Sequence, residues 1–156
     1  MKHVSKSHRL WLSGGLTLIA VVLVATGTTK LAAGQTGATP IKIGILSDCK
    51  GAFGVFNEQN VGGAIIAFAE YAGAKPKDPN KPSAGITGGS IGEHPIEIVG
   101  FGCSDDTADT AIKETRRLME QLNADIMIGP VSGDESIAVA NYAKQHPTKT
   151  FVNGTA

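Results

Sequence analysis

The stretch from Pro95 to Gly129, PIEIVGFGCSDDTADTAIKETRRLMEQLNADIMIG, decides the fold. It opens on Pro95-Ile-Glu-Ile-Val-Gly-Phe101, whose β-branched residues and alternation predict a strand. Ser104, Asp105 and Asp106 then offer side-chain oxygens for a helix start. Ala108, Ala111, Ile112, Thr115, Leu118, Met119 and Leu122 recur along one helical face, and Arg116 and Arg117 fall on the other. Only Asn123 and Ala124 separate this helix from Asp125-Ile-Met-Ile-Gly129, a short apolar strand. A strand, a helix and a strand joined this tightly predict a right-handed crossover between parallel strands.

The pattern extends in both directions. Upstream, Ile41-Lys-Ile-Gly-Ile-Leu46 reads as a buried strand, followed by a Gly-rich loop from Ser47 to Phe56. Val61, Ala64, Ile65, Phe68 and Ala72 place one apolar stripe on a helix from Glu58 to Gly73. The segment from Lys75 to Glu93 holds too many Pro and Gly residues for a regular element and reads as a long loop with at most a short hairpin. Downstream, a helix from Asp134 to Gln145 precedes a fourth strand, Lys149-Thr-Phe-Val-Asn153. The alternation predicts an α/β, Rossmann-like parallel sheet of order 2-1-3-4 with helices on both faces. The sequence stops three residues after the fourth strand, so we expect this layer to be an incomplete lobe of a larger protein.

Charge locates the chain in the cell. Lys2, Lys6, Arg9 and Lys30 are the only charged residues from Met1 to Leu31; without that stretch the balanced total becomes a net charge of −4. A basic start, an uncharged run from Leu10 to Gly27 and small residues at Ala32-Ala33-Gly34 follow the order of a secretory signal peptide. We expect residues 1–33 to be that leader, 34–40 a linker and 41–156 the incomplete lobe. Leu10 to Thr29 is also long enough to span a bilayer, so retention as an anchor is the alternative. No Cys follows the small residues, which argues against a lipid anchor.

Export places Cys49 and Cys103 in an oxidising compartment, where two cysteines suggest one disulfide. The expected strand order puts them in neighbouring loops, after strands one and two. They are 54 residues apart with no Cys/His cluster beside them, and His94 and His146 are isolated, so no metal site is expected. The absence of a basic excess argues against nucleic-acid binding. Enzyme signatures are also missing. Gly129-Pro-Val-Ser-Gly133 sets Ser one place too late for a nucleophile elbow, and Gly85 to Gly92 lacks the Lys of a phosphate loop. Asp105, Asp106 and Asp109 read as helix-start residues rather than paired catalytic carboxylates. We expect no enzyme and no cofactor; a hydrolase on such a sheet would need a catalytic pair supplied from elsewhere.

In an open parallel sheet, ligands sit beyond the carboxyl ends of the strands, where the winding reverses. Here that lies between strands one and three, beside the loops Asp48–Phe56 and Pro130–Ser136. The second loop enters a helix N-terminus, whose free N–H groups suit an anion such as a carboxylate. Ser132 and the N–H groups of Gly133 and Asp134 are the candidate donors. The competing reading is that Ser132 or Asp134 simply caps the same helix.

These residues resemble a known family. Ile41-Lys-Ile-Gly-Ile-Leu, Gly51-Ala-Phe-Gly54, Gly62-Gly-Ala64, Gly85-Ile and Ile96-Glu-Ile-Val look like the type I periplasmic solute-binding proteins. The runs from Cys103-Ser-Asp-Asp-Thr to Ala111, Ile126-Met-Ile-Gly-Pro130 and Phe151-Val-Asn-Gly-Thr155 do so too. The nearest group is the leucine/isoleucine/valine-binding components of ABC importers. The resemblance spans Pro40 to Ala156 and implies a two-lobed protein that closes on a small polar ligand and delivers it to a membrane permease. It also implies a ligand clamp of Ser132 and Gly133 after strand three and Gly154 and Thr155 after strand four. Phe56 would stand for the aromatic of the first loop. Gly133 stands where many members carry a hydroxyl, leaving backbone donors, and Asp134-Glu135 disfavours a purely anionic ligand. The same fold held by Leu10–Gly27 would instead serve as a membrane-anchored sensing ectodomain.

Overall fold

The computed structural model describes residues 37–153, so the expected leader and anchor, and Gly154 and Thr155, lie outside the described residues. Contacts divide the chain between Gln35 and Thr36, and every described residue belongs to the second unit.

Its centre is a five-stranded sheet. Strand β1 (Ile41–Asp48) is flanked on one side by β5 (His94–Ser104) and on the other by β6 (Ile126–Ile128), with β7 (Thr150–Val152) beyond β6. These four run parallel in the predicted order 2-1-3-4. A two-residue strand, β4 (Ser90–Ile91), adds antiparallel to the outer edge of β5. Within the long loop, β2 (Lys75–Pro76) and β3 (Ile86–Thr87) form a second small hairpin.

Side-chain alternation along β1 divides the core into two. Ile43 and Ile45 face one way and meet Val61 and Ile65 of helix α1 (Asn57–Ala72), together with Ile96. Leu46 faces the other way, onto Leu118, Met127, Val139 and Tyr142, beneath helices α2 (Ala108–Arg116) and α3 (Gly133–Ala143). The apolar stripe expected on α1 is the buried one, and Gly73 ends that helix in the left-handed conformation that glycine adopts without penalty.

Several boundaries differ from the sequence reading. The cap of α2 is Thr107, whose hydroxyl accepts from the Thr110 N–H at 3.4 Å, and not Ser104, Asp105 or Asp106. The reason is that β5 runs on to Ser104, while the Asp105 carboxylate is engaged by the Thr107 hydroxyl at 2.7 Å. Between Ile98 and Gly100 the β1 register skips Val99, a bulge that puts Val99 and Gly100 on the same side of the sheet. Gly44, Gly100 and Gly102 then line up beneath Leu118, where a Cβ at Gly102 would lie 2.7 Å from Leu46 Cδ1. The helix after α2 widens into a π turn over Arg117–Gln121, which turns Leu118 and Met119 inward together. Arg117, expected on the outer face, folds back to donate to the Phe101 carbonyl at 2.6 Å.

Candidate functional site

Strands β1, β5 and β6 all deliver their carboxyl ends to one edge of the sheet. The turns beginning at Ser47 and Gly129 lie side by side there, as the strand order requires. Gly129 has a φ of +99°, and a Cβ on it would collide with the Leu46 carbonyl, so only glycine lets the two strands approach this closely.

A cavity of about 240 Å³ opens at this edge, lined by Ile45, Leu46, Asn60, Ile128, Gly129, Pro130, Val131, Val152 and Asn153. Its walls are mostly apolar, with the amides of Asn60 and Asn153 among the lining groups. Asn60 reaches back from α1 to within 3.5 Å of Ser47 Oγ. Asn153 joins the end of β7 to α3, accepting from Ser136 Oγ at 2.9 Å and donating to the Ser136 carbonyl at 3.0 Å. An apolar cavity with a few placed polar groups is the usual form of a small-molecule site.

Among the described residues, none of the sequence-predicted Phe56, Ser132, Gly133 and Asp134 lines this cavity, although Ser132 directly follows its lining residue Val131. Ser132 is the residue before α3, 4% exposed, and its side chain makes no capping hydrogen bond. Ser132 therefore occupies the cap position without its side chain closing the helix end. Gly133 and Asp134 open the helix at the surface, with open space around a Cβ at Gly133. Phe56 ends the 3₁₀ turn Gly54–Phe56 and is 49% exposed beside exposed Val55 and Phe53, giving the first loop an apolar tip. Asn60 and Asn153 are lining residues that sequence reasoning missed. Asn60 had no signal beyond a polar residue in the first turn of α1, whereas Asn153 ends a strand at the switch edge and could have been read as a site residue.

The same edge holds the two cysteines. Cys49 and Cys103 form a disulfide with Cα atoms 5.1 Å apart. It is reinforced by Cys49 and Lys50 N–H groups donating to the Ser104 carbonyl at 3.1 and 3.2 Å. Beneath it lies a buried polar cluster: Ser104 Oγ is 3.1 Å from both Asp48 Oδ1 and Glu135 Oε2. Burial, followed by the neighbouring Asp48 charge, pushes the Glu135 carboxyl up to about 7. On the far side of α1, Glu58 accepts from the Ser83 N–H at 2.9 Å and the Ser83 hydroxyl at 2.6 Å, and these bonds hold its carboxyl below the ordinary range. Of the histidines among the described residues, His94 meets the Thr39 carbonyl and His146 stacks on Tyr142 at 3.9 Å.

No family model matches the sequence, and no curated protein does. Solved structures do. An ABC transporter substrate-binding protein from Sphaerobacter thermophilus is 25% identical with a TM-score of 0.57, over 75% of this chain and 27% of that one. A periplasmic binding protein from Burkholderia mallei is 21% identical with a TM-score of 0.55, over 75% and 27%. A leucine-binding protein from Thermotoga maritima is 17% identical with a TM-score of 0.54, over 74% and 28%. The chain spans little more than a quarter of the length of these proteins. It has the fold of part of one lobe of the type I periplasmic binding proteins, and these neighbours are binding proteins rather than enzymes.

Proposed function

We propose that this chain is the opening part of an extracytoplasmic solute-binding protein that serves an ABC importer. It takes a small polar solute of the amino-acid class between two lobes and presents it to a membrane permease. One observation carries the reading. In a fold shared with a substrate-binding protein, the first turn of α3 stands without a side-chain cap at the switch edge, next to the cavity between β1 and β6. Uncapped N–H groups with the helix dipole behind them suit a carboxylate, and the apolar cavity suits the rest of the molecule. Phe56, with Gly154 and Thr155 beyond the fourth strand, would complete that wall. The disulfide fits an oxidising compartment outside the cytoplasm.

Calorimetric titration of the exported protein with amino acids and small carboxylates tests this, using Gly133→Pro as the diagnostic variant. Proline at the first helical position removes one N–H donor and suits a helix start, and Ser132 already has the extended backbone (φ −69°, ψ 142°) that a following proline requires. We expect a carboxylate-bearing solute to bind and the variant to weaken it by roughly tenfold, the worth of one hydrogen bond to a charged group, with thermal stability kept. Equal affinity in the two proteins would remove α3 from the site.

A further inference from the structure

Asp48 at the end of β1, Ser104 at the end of β5 and Glu135 in the first turn of α3 meet in full burial, each 0% exposed. The Ser104 hydroxyl lies 3.1 Å from a carboxyl oxygen of each acid. A hydroxyl carries one hydrogen and can donate to only one of them. For the other contact to be a hydrogen bond, that carboxyl must carry a proton and donate to the Ser104 oxygen. The Asp106 N–H donates to Asp48 Oδ1 at 3.1 Å and also acts on Glu135, but burial and the neighbouring Asp48 charge outweigh it and favour the protonated form of Glu135. Glu135 is therefore the proton's place.

We propose that Asp48, Ser104 and Glu135 form a one-proton latch: a proton on Glu135 holds the first turn of α3 against the ends of β1 and β5, and its loss loosens that wall. The surroundings leave a second negative charge without compensation. The ion pairs among the described residues are Arg117–Glu114 and Lys149–Asp125, and neither reaches the cluster. In the loop after β5, the half-buried Asp105 is engaged by Thr107 and senses Lys50 of the loop after β1, while Asp106 presents its N–H. From α2 the inward residues are Ala111 and Thr115, neither ionisable, and Asp134 of α3 is exposed. Asp48 Oδ2 and Glu135 Oε1 are buried without a hydrogen-bond partner, so neither outer oxygen is met by a donor that would take up the charge created by proton loss. The Thr115 hydroxyl of α2 is buried and unpartnered as well. The latch stands on this geometry alone. Its effect on a solute at Gly133 and Asp134 rests on the function proposed above.

Carboxyl-carbon and amide NMR of the full chain, titrated from pH 4 to 9, tests it. We expect the Glu135 carboxyl to titrate with a midpoint near 7. The amides of Ser104, Gly133 and Glu135 should shift with the same midpoint, and intrinsic-rate-corrected amide exchange in the first turn of α3 should quicken about tenfold above it. Asp48→Asn should move the midpoint down by at least about one pH unit, because the like charge is gone. A Glu135 midpoint near the ordinary 4.5, or amides that stay still while Glu135 titrates, would overturn the latch, and the unsubstituted chain decides this even if the variant does not fold. Solute failing to bind at every pH would instead count against the solute reading and leave the latch intact.

Discussion

Gly129 shows how much one residue decides at the switch edge. Its φ of +99° is open to glycine, and a Cβ would run into the Leu46 carbonyl, a backbone atom that cannot turn aside. We expect Gly129→Ala to destabilise the fold by roughly 3 kcal/mol, read as the midpoint of denaturant unfolding. Gly102→Ala is a milder case, since its Cβ would press on the ends of Leu46 and Leu118, which can shift. There we expect about 1–2 kcal/mol. The sequence marked Gly129 as a strand end but offered no reason to single out Gly102. A close approach between strand and helix leaves no local pattern, because the residue that needs the space is distant in sequence. The start of α3 after Ser132 was legible for the opposite reason, since a helix start beyond a strand is local chemistry.

At the scale of elements, periodicity was a reliable guide wherever one face is buried. Strands β1, β5, β6 and β7 and helices α1 and α3 fall where their apolar spacing puts them, to within a few residues. The bulge at Val99, the π turn after α2 and the cap at Thr107 did not announce themselves. The bulge and the π turn are local adjustments to packing whose partner is not a sequence neighbour, and the cap falls at Thr107 because β5 runs on to Ser104. The long Pro/Gly-rich segment is held from outside by Glu58, whose carboxylate takes both donors of Ser83. The Cys49–Cys103 bridge ties the loop of Phe56 to β5 across 54 residues. The chain-entropy argument gives that bridge about 4 kcal/mol. We expect the Cys49→Ala, Cys103→Ala double variant to lose about that much in chemical denaturation, with protection in hydrogen exchange falling first at residues 48–56. A loss below about 1 kcal/mol would mean that the Ser104 carbonyl contacts alone hold the loop.

For the molecule as a whole, the buried acid sets the dependence of stability on pH, and its sign runs against the usual expectation for a carboxylate. Glu135 holds its proton to about 7 in the folded chain and to an ordinary value near 4.5 once unfolded. Between those values the folded state binds more protons, so stability falls as pH rises through that window and the full penalty is present above it. Glu58 acts in the opposite sense: its lowered carboxyl contributes above 4.5 and is lost as pH falls below that through its folded value. Tyr142, pushed up to about 12 by burial and its bond to Glu120, contributes below 10 and loses that contribution only in strong base. Of these three groups only Glu135 changes its contribution between about pH 5 and 8, so across that range it makes stability fall as pH rises. Thermal unfolding from pH 5 to 8 should show the melting temperature dropping by at least about 5 °C, the equivalent of one to a few kcal/mol for a domain of this size. Glu135→Gln keeps a neutral amide at the same position and should flatten the drop while raising stability at pH 8. A melting temperature that climbs steadily to pH 8, or a fall of equal size in Glu135→Gln, would show that the acid cluster does not govern this dependence.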